Sequence, residues 1–145
     1  MLYRLLRPDE NWQLGLLAKH PTSQVSVFDH VIHGSNWKYQ SKYISTCGSL
    51  NAMLEFRSNL CKPYAQIVQI SEDYSPVLYK IDLRLPEIRS GQYTLLGQPQ
   101  YPIELINKFN NFAMKFEEVL LVGHVPASHI QLVDIASFVP VSLPT

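Results

Sequence analysis

Apolar residues recur at helical spacing in four segments of the chain. In the second segment, Val27, Phe28, Val31 and Ile32 follow two serines, at positions 23 and 26, either of which could cap a helix. The first segment has an imperfect apolar face, and it begins with Pro8, which suits the first turn of a helix. The predicted helices cover residues 8–17, 23–32, 49–60 and 103–114.

Short β-rich runs bounded by Gly, Pro and polar turn residues predict six strands. They cover residues 2–6, 42–45, 65–70, 77–83, 119–123 and 130–135. The turn residues at 72–76 predict a hairpin of the third and fourth strands, and segment 86–100, with two glycines and two prolines, is predicted to be a loop. Because helices crowd the first half and strands the second, the pattern favours an α+β fold with an antiparallel sheet.

The composition is that of one globular domain of residues 1–145, with 46% hydrophobic and 17% charged residues. Zero formal net charge argues against a nucleic-acid-binding protein, which usually has a basic excess, although a local basic patch stays compatible with it. Two cysteines, Cys47 and Cys61, are too few for a disulfide framework. No apolar run reaches membrane-spanning length, so we expect no membrane partner. The N-terminus lacks a signal-peptide pattern, so we expect a cytoplasmic protein, or one delivered into a target cell without a cleaved signal peptide.

The stretch from 116 to 126 draws attention because two carboxylates, Glu117 and Glu118, open a run that otherwise predicts a buried strand. A buried charge must be paired or used, so a core strand rarely begins in this way. Glu118 is therefore a candidate catalytic residue. The alternative is that both carboxylates are solvated at the start of the strand, and this stretch alone favours that alternative.

Three further motifs favour the catalytic interpretation of Glu118 over the solvated one. Tyr3-Arg4 lies on the first strand, Asp29-His30 on the second helix, and Tyr43-Ile44-Ser45-Thr46-Cys47 at a strand end, all before Glu118. In this order they resemble the catalytic chains of the cholera, heat-labile enterotoxin and pertussis family of mono-ADP-ribosyltransferases. In that family a Tyr-Arg strand, an Asp-His helix, a Ser-Thr-Ser strand end and a late glutamate follow one another. Residues 7–10 are similar to the family's Arg-Pro-Pro-Asp/Glu loop, and the resemblance runs from Leu2 to Ile135.

The resemblance implies an ADP-ribosyltransferase-like fold, with short helices in the first half packed on two small, mostly antiparallel sheets. It also implies NAD as a substrate, with no metal. Arg4, Ser45 and Glu118 would be catalytic, with Arg4 clamping a phosphate or ribose and Ser45 orienting the ribose or the carboxylate. Glu118 would hold the nicotinamide-ribose 2′-OH and stabilise the oxocarbenium-like cation. The implied NAD-binding residues are Arg4, Arg7, His30, Tyr43, Ser45 and Thr46.

Two positions depart from the family pattern. Cys47 replaces the last serine of the Ser-Thr-Ser motif and is a weaker hydrogen-bond donor. Phe116 stands two residues before Glu118, where members that modify arginine carry a glutamate. Since a phenyl ring cannot pair with a guanidinium, we expect an acceptor other than arginine. Phe116 and Glu117 are the predicted acceptor-binding residues, and a bulge could turn Glu117 toward the site.

The predicted function is transfer of ADP-ribose from NAD to a macromolecule, with a protein as the favoured acceptor. The family implies a toxin or effector, with a neutralising or carrier protein as a separate chain. Two alternatives are a binding module that has lost catalysis and an NAD glycohydrolase. Nucleic-acid modification is a further one, since Phe116 could stack on a base. A metal site at His30, His33 and Asp29 is disfavoured, and solvated helix histidines are preferred.

Overall fold

The computed structural model describes residues 1–33, 40–62, 65–72, 79–94 and 101–134. Within them, six strands form one antiparallel sheet in the order β5-β6-β3-β1-β4-β8, and β2 pairs with β7 in a two-stranded sheet. The strands are β1 (Leu2–Leu5), β2 (Leu16–Leu17), β3 (Tyr43–Cys47), β4 (Ile67–Ile70), β5 (Tyr79–Asp82), β6 (Glu118–Val122), β7 (His124–Val125) and β8 (Ile130–Leu132). The α+β class and the antiparallel pairing are confirmed.

The helices are α1 (Val27–Ile32), α2 (Leu50–Asn59), α3 (Pro86–Ser90) and α4 (Ile103–Lys115). Ser26 caps α1 by accepting from the backbone N–H of Asp29, and Ser49 caps α2 by accepting from that of Ala52, both at 3.1 Å. These hydroxyls satisfy backbone donors that the first helical turn leaves free. Short turns of 3₁₀ helix lie at Trp12–Leu14 and Ala127–His129. No helix in the described ranges is both long and apolar enough to cross a membrane.

The two faces of the large sheet are covered differently. One face packs against the β2–β7 pair, through Leu16 and Val125. The opposite face packs against the helices: Phe28 of α1 stacks on Phe109 of α4, and Met53 of α2 lies in a third apolar cluster. Because side chains alternate along a strand, the register decides which residues meet α1 and α4.

The centre of the sheet brings three sequence motifs onto adjacent strands. β3 and β6 pair over five positions, from Tyr43↔Val122 to Cys47↔Glu118, so Ser45 and Glu118 share a face. In contrast, β1 and β3 have one register pair, Tyr3↔Cys47, whereas β1 pairs with β4 over four positions. The two central strands therefore diverge beside Ser45, and a cavity lies at this point.

The first predicted helix, residues 8–17, is wrong. A 3₁₀ turn ends at Gly15, whose φ of 90° is a left-handed conformation that suits glycine, and the chain continues as β2. Leu16 enters the core there, while Leu14 and Leu17 are exposed. The apolar residues of this segment serve a strand pairing with β7, and that partner is more than a hundred residues away.

Three further expectations need correction. The predicted hairpin is wrong, because β4 pairs with β1 and β8 whereas β5 pairs with β6. The predicted loop at 86–100 contains α3, since Pro86 begins a helical turn. Helices do not crowd the first half: the longest described helix is α4, and three strands precede residue 50. The turn at 73–76 and residues 95–100 lie outside the described part of the chain.

Candidate functional site

A cavity of about 500 Å³ opens where β1 and β3 diverge. Its volume lies within the range of small-molecule sites. Seven of the nine predicted site residues line it, and they come from β1, the following loop, α1, β3 and β6: Arg4, Arg7, His30, Tyr43, Ser45, Thr46 and Glu118. The floor adds apolar side chains from α2 and α4, including Met53, Phe56 and Phe112.

Glu118 is buried, with 5% of its surface exposed, as the first residue of β6. The interpretation that both carboxylates are solvated is therefore wrong for this residue. Burial raises the pKa of Glu118 to about 8, and a hydrogen bond from Ser45 and the charge of Arg4 oppose that rise. At neutral pH the carboxyl group of the free protein is therefore mainly protonated.

His30 connects two serine hydroxyls. Its Nδ1 lies 2.6 Å from Oγ of Ser41, and its Nε2 lies 2.6 Å from Oγ of Ser45. Burial, together with the charge of Arg4, lowers the pKa of His30 to about 4. The ring is thus neutral at pH 7. The expectation of a solvated histidine is wrong for His30, because both of its nitrogens have hydroxyl neighbours.

Arg4 is held within the protein. Its Nε and Nη2 donate to the carboxylate of Glu10 at 3.0–3.1 Å, and its Nη1 donates to the backbone oxygen of Ser45 at 2.8 Å. Both partners of the ion pair are buried, at 7% and 6% side-chain exposure. The hydrogen bond from Nη1 joins β1 to β3 at the point where the backbone pairing of these two strands ends. Arg4 therefore supports Ser45 directly, and Glu10 already occupies the side of its guanidinium that could clamp a phosphate.

Glu10 is a site residue that the sequence reasoning missed. It lies in the segment 8–17 that was predicted to be a helix. Instead its carboxylate accepts from Arg4 and from the backbone N–H of Arg7 at 2.9 Å. The signal available in the sequence was an acid three residues after Arg7, in a loop following a strand with a central arginine.

Positive charge concentrates at the cavity. Three exposed lysines, Lys19, Lys62 and Lys108, line it together with Arg4 and Arg7, whereas Glu118 is its only acidic lining residue in the described chain. Among the described residues, none of these lysines has a carboxylate within 4 Å. Arg7 pairs with Asp9 at 3.1 Å. Since Arg4 pairs with Glu10 and Arg7 pairs with Asp9, the three lysines are the lining cations available to an anionic ligand.

Tyr43 and Thr46 line the cavity from β3. The Tyr43 ring meets the His30 ring edge-on, with centroids 5.5 Å apart. The hydroxyl of Thr46 donates to the backbone oxygen of Val119 at 2.6 Å, so it is engaged in holding β3 to β6. The thiol of Cys47 is buried on the face of Ser45 and Glu118, and burial raises its pKa.

Phe116 and Glu117 do not line the cavity. Phe116 is buried against Phe56 and Phe112, with ring centroids 5.2 and 4.8 Å away. Glu117 has a positive φ of 49°, and its carboxylate accepts from the hydroxyl of Ser49 at 2.6 Å. The backbone turn therefore directs Glu117 to the start of α2. The position two residues before Glu118 supplies no carboxylate to the site.

No group of three or more His, Cys, Asp or Glu side chains in the described ranges is arranged to hold a metal ion. No protein-family model matches the chain, and neither a curated protein nor a solved structure shows significant similarity to it.

Proposed function

We propose that this protein is a mono-ADP-ribosyltransferase that moves ADP-ribose from NAD to a protein side chain other than arginine. The observation that carries the proposal is the meeting of Arg4, Ser45 and Glu118, from three adjacent strands, at one cavity. The other charged side chains that line this cavity in the described chain are all cations. A buried carboxyl group beside three exposed lysines, Lys19, Lys62 and Lys108, suits a substrate with a pyrophosphate at one end and a cationic ring at the other. We call these lysines the cationic rim.

The chemistry divides between the two parts of the cavity. Lys19, Lys62 and Lys108 would hold the pyrophosphate, in place of the phosphate clamp first expected of Arg4. Near Glu118 the bond between C1′ of the ribose and the nicotinamide nitrogen breaks, and its electron pair leaves with neutral nicotinamide. The carboxylate stabilises the cationic sugar. The acceptor then attacks C1′ and loses a proton.

Ionisation of Glu118 is coupled to substrate binding in this scheme. The free protein holds a proton on Glu118 at neutral pH because the carboxyl group is buried. A nicotinamide cation placed beside it favours the charged form and lowers its pKa. Binding of NAD would therefore release a proton, and the carboxylate would be formed where positive charge develops.

A second candidate is a binding module that has lost catalysis. The observation that favours it is that Arg4 already binds Glu10 and the Ser45 backbone. An NAD glycohydrolase would use the same residues with water as the acceptor. The biological setting that we propose is that of a toxin or effector, with any neutralising or carrier protein on another chain.

The experiment is release of free nicotinamide from NAD by the purified protein, with and without cell lysate. The test variant is Glu118→Gln, and the matched control is Glu104→Gln, an exposed glutamate on α4. Turnover that needs lysate and is lost only in Glu118→Gln supports transfer. Turnover without lysate supports the glycohydrolase. Binding of NAD with no turnover under either condition supports the binding module.

A further inference from the structure

Ser41 is a buried serine to which the sequence analysis assigned no role. It lies just before β3, with 5% of its surface exposed, and it lines the cavity. Its backbone oxygen accepts from the N–H of His20 at 3.2 Å, which ties it to the loop before α1. Its hydroxyl oxygen accepts from the backbone N–H of Tyr43 at 3.1 Å and lies 2.6 Å from Nδ1 of His30.

These contacts constrain the hydrogens of the cavity. The His30 ring is neutral and carries one N–H, so one of its two serine neighbours must donate and the other must accept. The Tyr43 N–H donates to one lone pair of the Ser41 hydroxyl oxygen. The direction in which the Ser41 O–H itself donates is then still open. Donation of this O–H to the nearby Nδ1 of His30 would put the imidazole proton on Nε2.

The proton on Nε2 determines what Ser45 can do. When Nε2–H donates to Ser45 Oγ, the Ser45 O–H is free to donate to the Glu118 carboxylate. When the proton is on Nδ1, the Ser45 O–H must instead donate to Nε2 and turns away from Glu118. We propose that Ser41 is a positioning residue that selects the Nε2–H tautomer of His30 and thereby directs the Ser45 hydroxyl to Glu118.

Other groups around Glu118 and His30 hold a fixed charge state in this scheme. Arg4 of β1 acts on both groups and is paired with Glu10. From β3, Tyr43 and Cys47 face the site, and burial raises the pKa of each, so both stay neutral. Glu117 is bound to Ser49. The cations of the neighbouring loops and α4 complete the set: Arg7, Lys19, Lys62 and Lys108.

The test is the tautomer of His30, read from the ¹⁵N shifts of the ring nitrogens in protein labelled at histidine, with His30→Asn for assignment. No NAD is present. At pH 9, where Glu118 is ionised, the wild type is expected to carry the proton on Nε2. Ser41→Ala is expected to move it toward Nδ1, Ser41→Thr to restore it, and Ser58→Ala, an exposed serine of α2, to leave it unchanged.

A second readout follows Glu118 itself by ¹³C NMR of its carboxyl group. Loss of the Ser45 hydrogen bond is expected to raise its titration midpoint in Ser41→Ala by roughly half to one pH unit. A wild-type ring with the proton on Nδ1 at pH 9 overturns the inference, even where Ser41→Ala does not fold. An unchanged tautomer in folded Ser41→Ala also overturns it.

The part that Ser41 plays in the reaction rests on the proposed function, but the tautomer does not. If the tautomer responds as expected and NAD is never consumed, the proposed function fails and the positioning role stands. If NAD is consumed and the tautomer does not respond, the proposed function stands and the positioning role fails. A purely structural role would lower activity without moving the pH at which Glu118 ionises.

Discussion

Glu118 and His30 lie in the same cavity with pKa values shifted in opposite directions. Burial favours the neutral form of each, and because one is an acid and the other a base, the same cause raises one pKa to about 8 and lowers the other to about 4. At neutral pH the pair is therefore a carboxylic acid and an imidazole. The group that changes charge near physiological pH is Glu118.

The pH dependence of activity follows from this assignment. Stabilisation of a cationic sugar needs the carboxylate form, so kcat/KM for NAD is expected to rise with pH, with an apparent pKa of about 8 in the free enzyme. His30 stays neutral over this pH range, so it should add no second inflection to the pH–rate profile. Initial rates of nicotinamide release between pH 5 and 9.5 measure the profile. A half-maximal rate at pH 4 to 5 would contradict the role given to Glu118.

The free energy of unfolding should also depend on pH through the ionisation of Glu118. The folded-state pKa of Glu118 is raised, so its contribution is fully present below about pH 4.5 and is lost as pH rises through about 8. Glu118→Gln removes this loss. Relative to wild type, the variant should gain about 1 kcal/mol for each pH unit within that window. Urea unfolding at pH 5 and pH 8 measures the gain, and an equal difference at both pH values would count against the shift.

At the scale of elements, the loop between β1 and the first 3₁₀ turn holds the site together. Glu10 reaches from this loop to Arg4, and Arg4 in turn bridges the gap between β1 and β3 through the Ser45 backbone. A buried cation that loses its partner has neither solvent nor a counter-charge. The loop is thus a structural part of the sheet, in spite of its polar sequence.

Glu10→Gln tests this element. The variant leaves the Arg4 charge buried without its carboxylate, which is expected to cost about 3–5 kcal/mol of unfolding free energy. The matched control is Asp9→Asn, since Asp9 lies next in the chain, is 65% exposed and pairs only with Arg7 among the described residues. Urea unfolding of both variants measures their losses of unfolding free energy. Equal, small losses would show that the Arg4–Glu10 pair is not a structural bridge.

Elements also show where sequence reasoning succeeds. The start of α2 is correct because its signals are local: Ser49 follows a glycine and precedes apolar residues at helical spacing. The hairpin of β4 and β5 is wrong because turn residues describe a reversal of the chain but not the partner of each strand. The roles of Lys62 and Lys108 were missed for the same reason, since each lines a cavity whose other residues are distant in sequence. Glu10 differs, because its partner Arg4 is only six residues away. No feature of the sequence indicated a role for Ser41.

For the whole molecule, the distribution of charge matters more than its sum. Twelve basic residues balance twelve acidic ones, yet five of the basic side chains line one cavity. The neutral composition argued against a polyanionic partner, and it hid this local concentration. A cationic cavity of limited volume suits a small phosphate-bearing ligand, which is the kind of substrate that the proposed function requires.

Two lysines of α4 test this distribution. Lys108 lines the cavity, whereas Lys115, on the same helix, pairs with Glu55 and does not. Lys108→Ala is expected to weaken NAD binding about threefold to tenfold, as for loss of a contact of about 1 kcal/mol. Lys115→Ala should leave the affinity unchanged. Calorimetry at low and moderate salt measures both, and equal effects of the two substitutions would contradict the cationic-rim assignment.

The most direct test of the central claim remains nicotinamide release from NAD by the wild type, Glu118→Gln and Glu104→Gln. We expect lysate-dependent turnover in the wild type and in Glu104→Gln, and a loss of at least about a hundredfold in Glu118→Gln, as for removal of a group that stabilises transition-state charge. Turnover that survives in folded Glu118→Gln would contradict the assignment of the catalytic carboxylate. Absence of turnover in the wild type would contradict the proposed transferase itself.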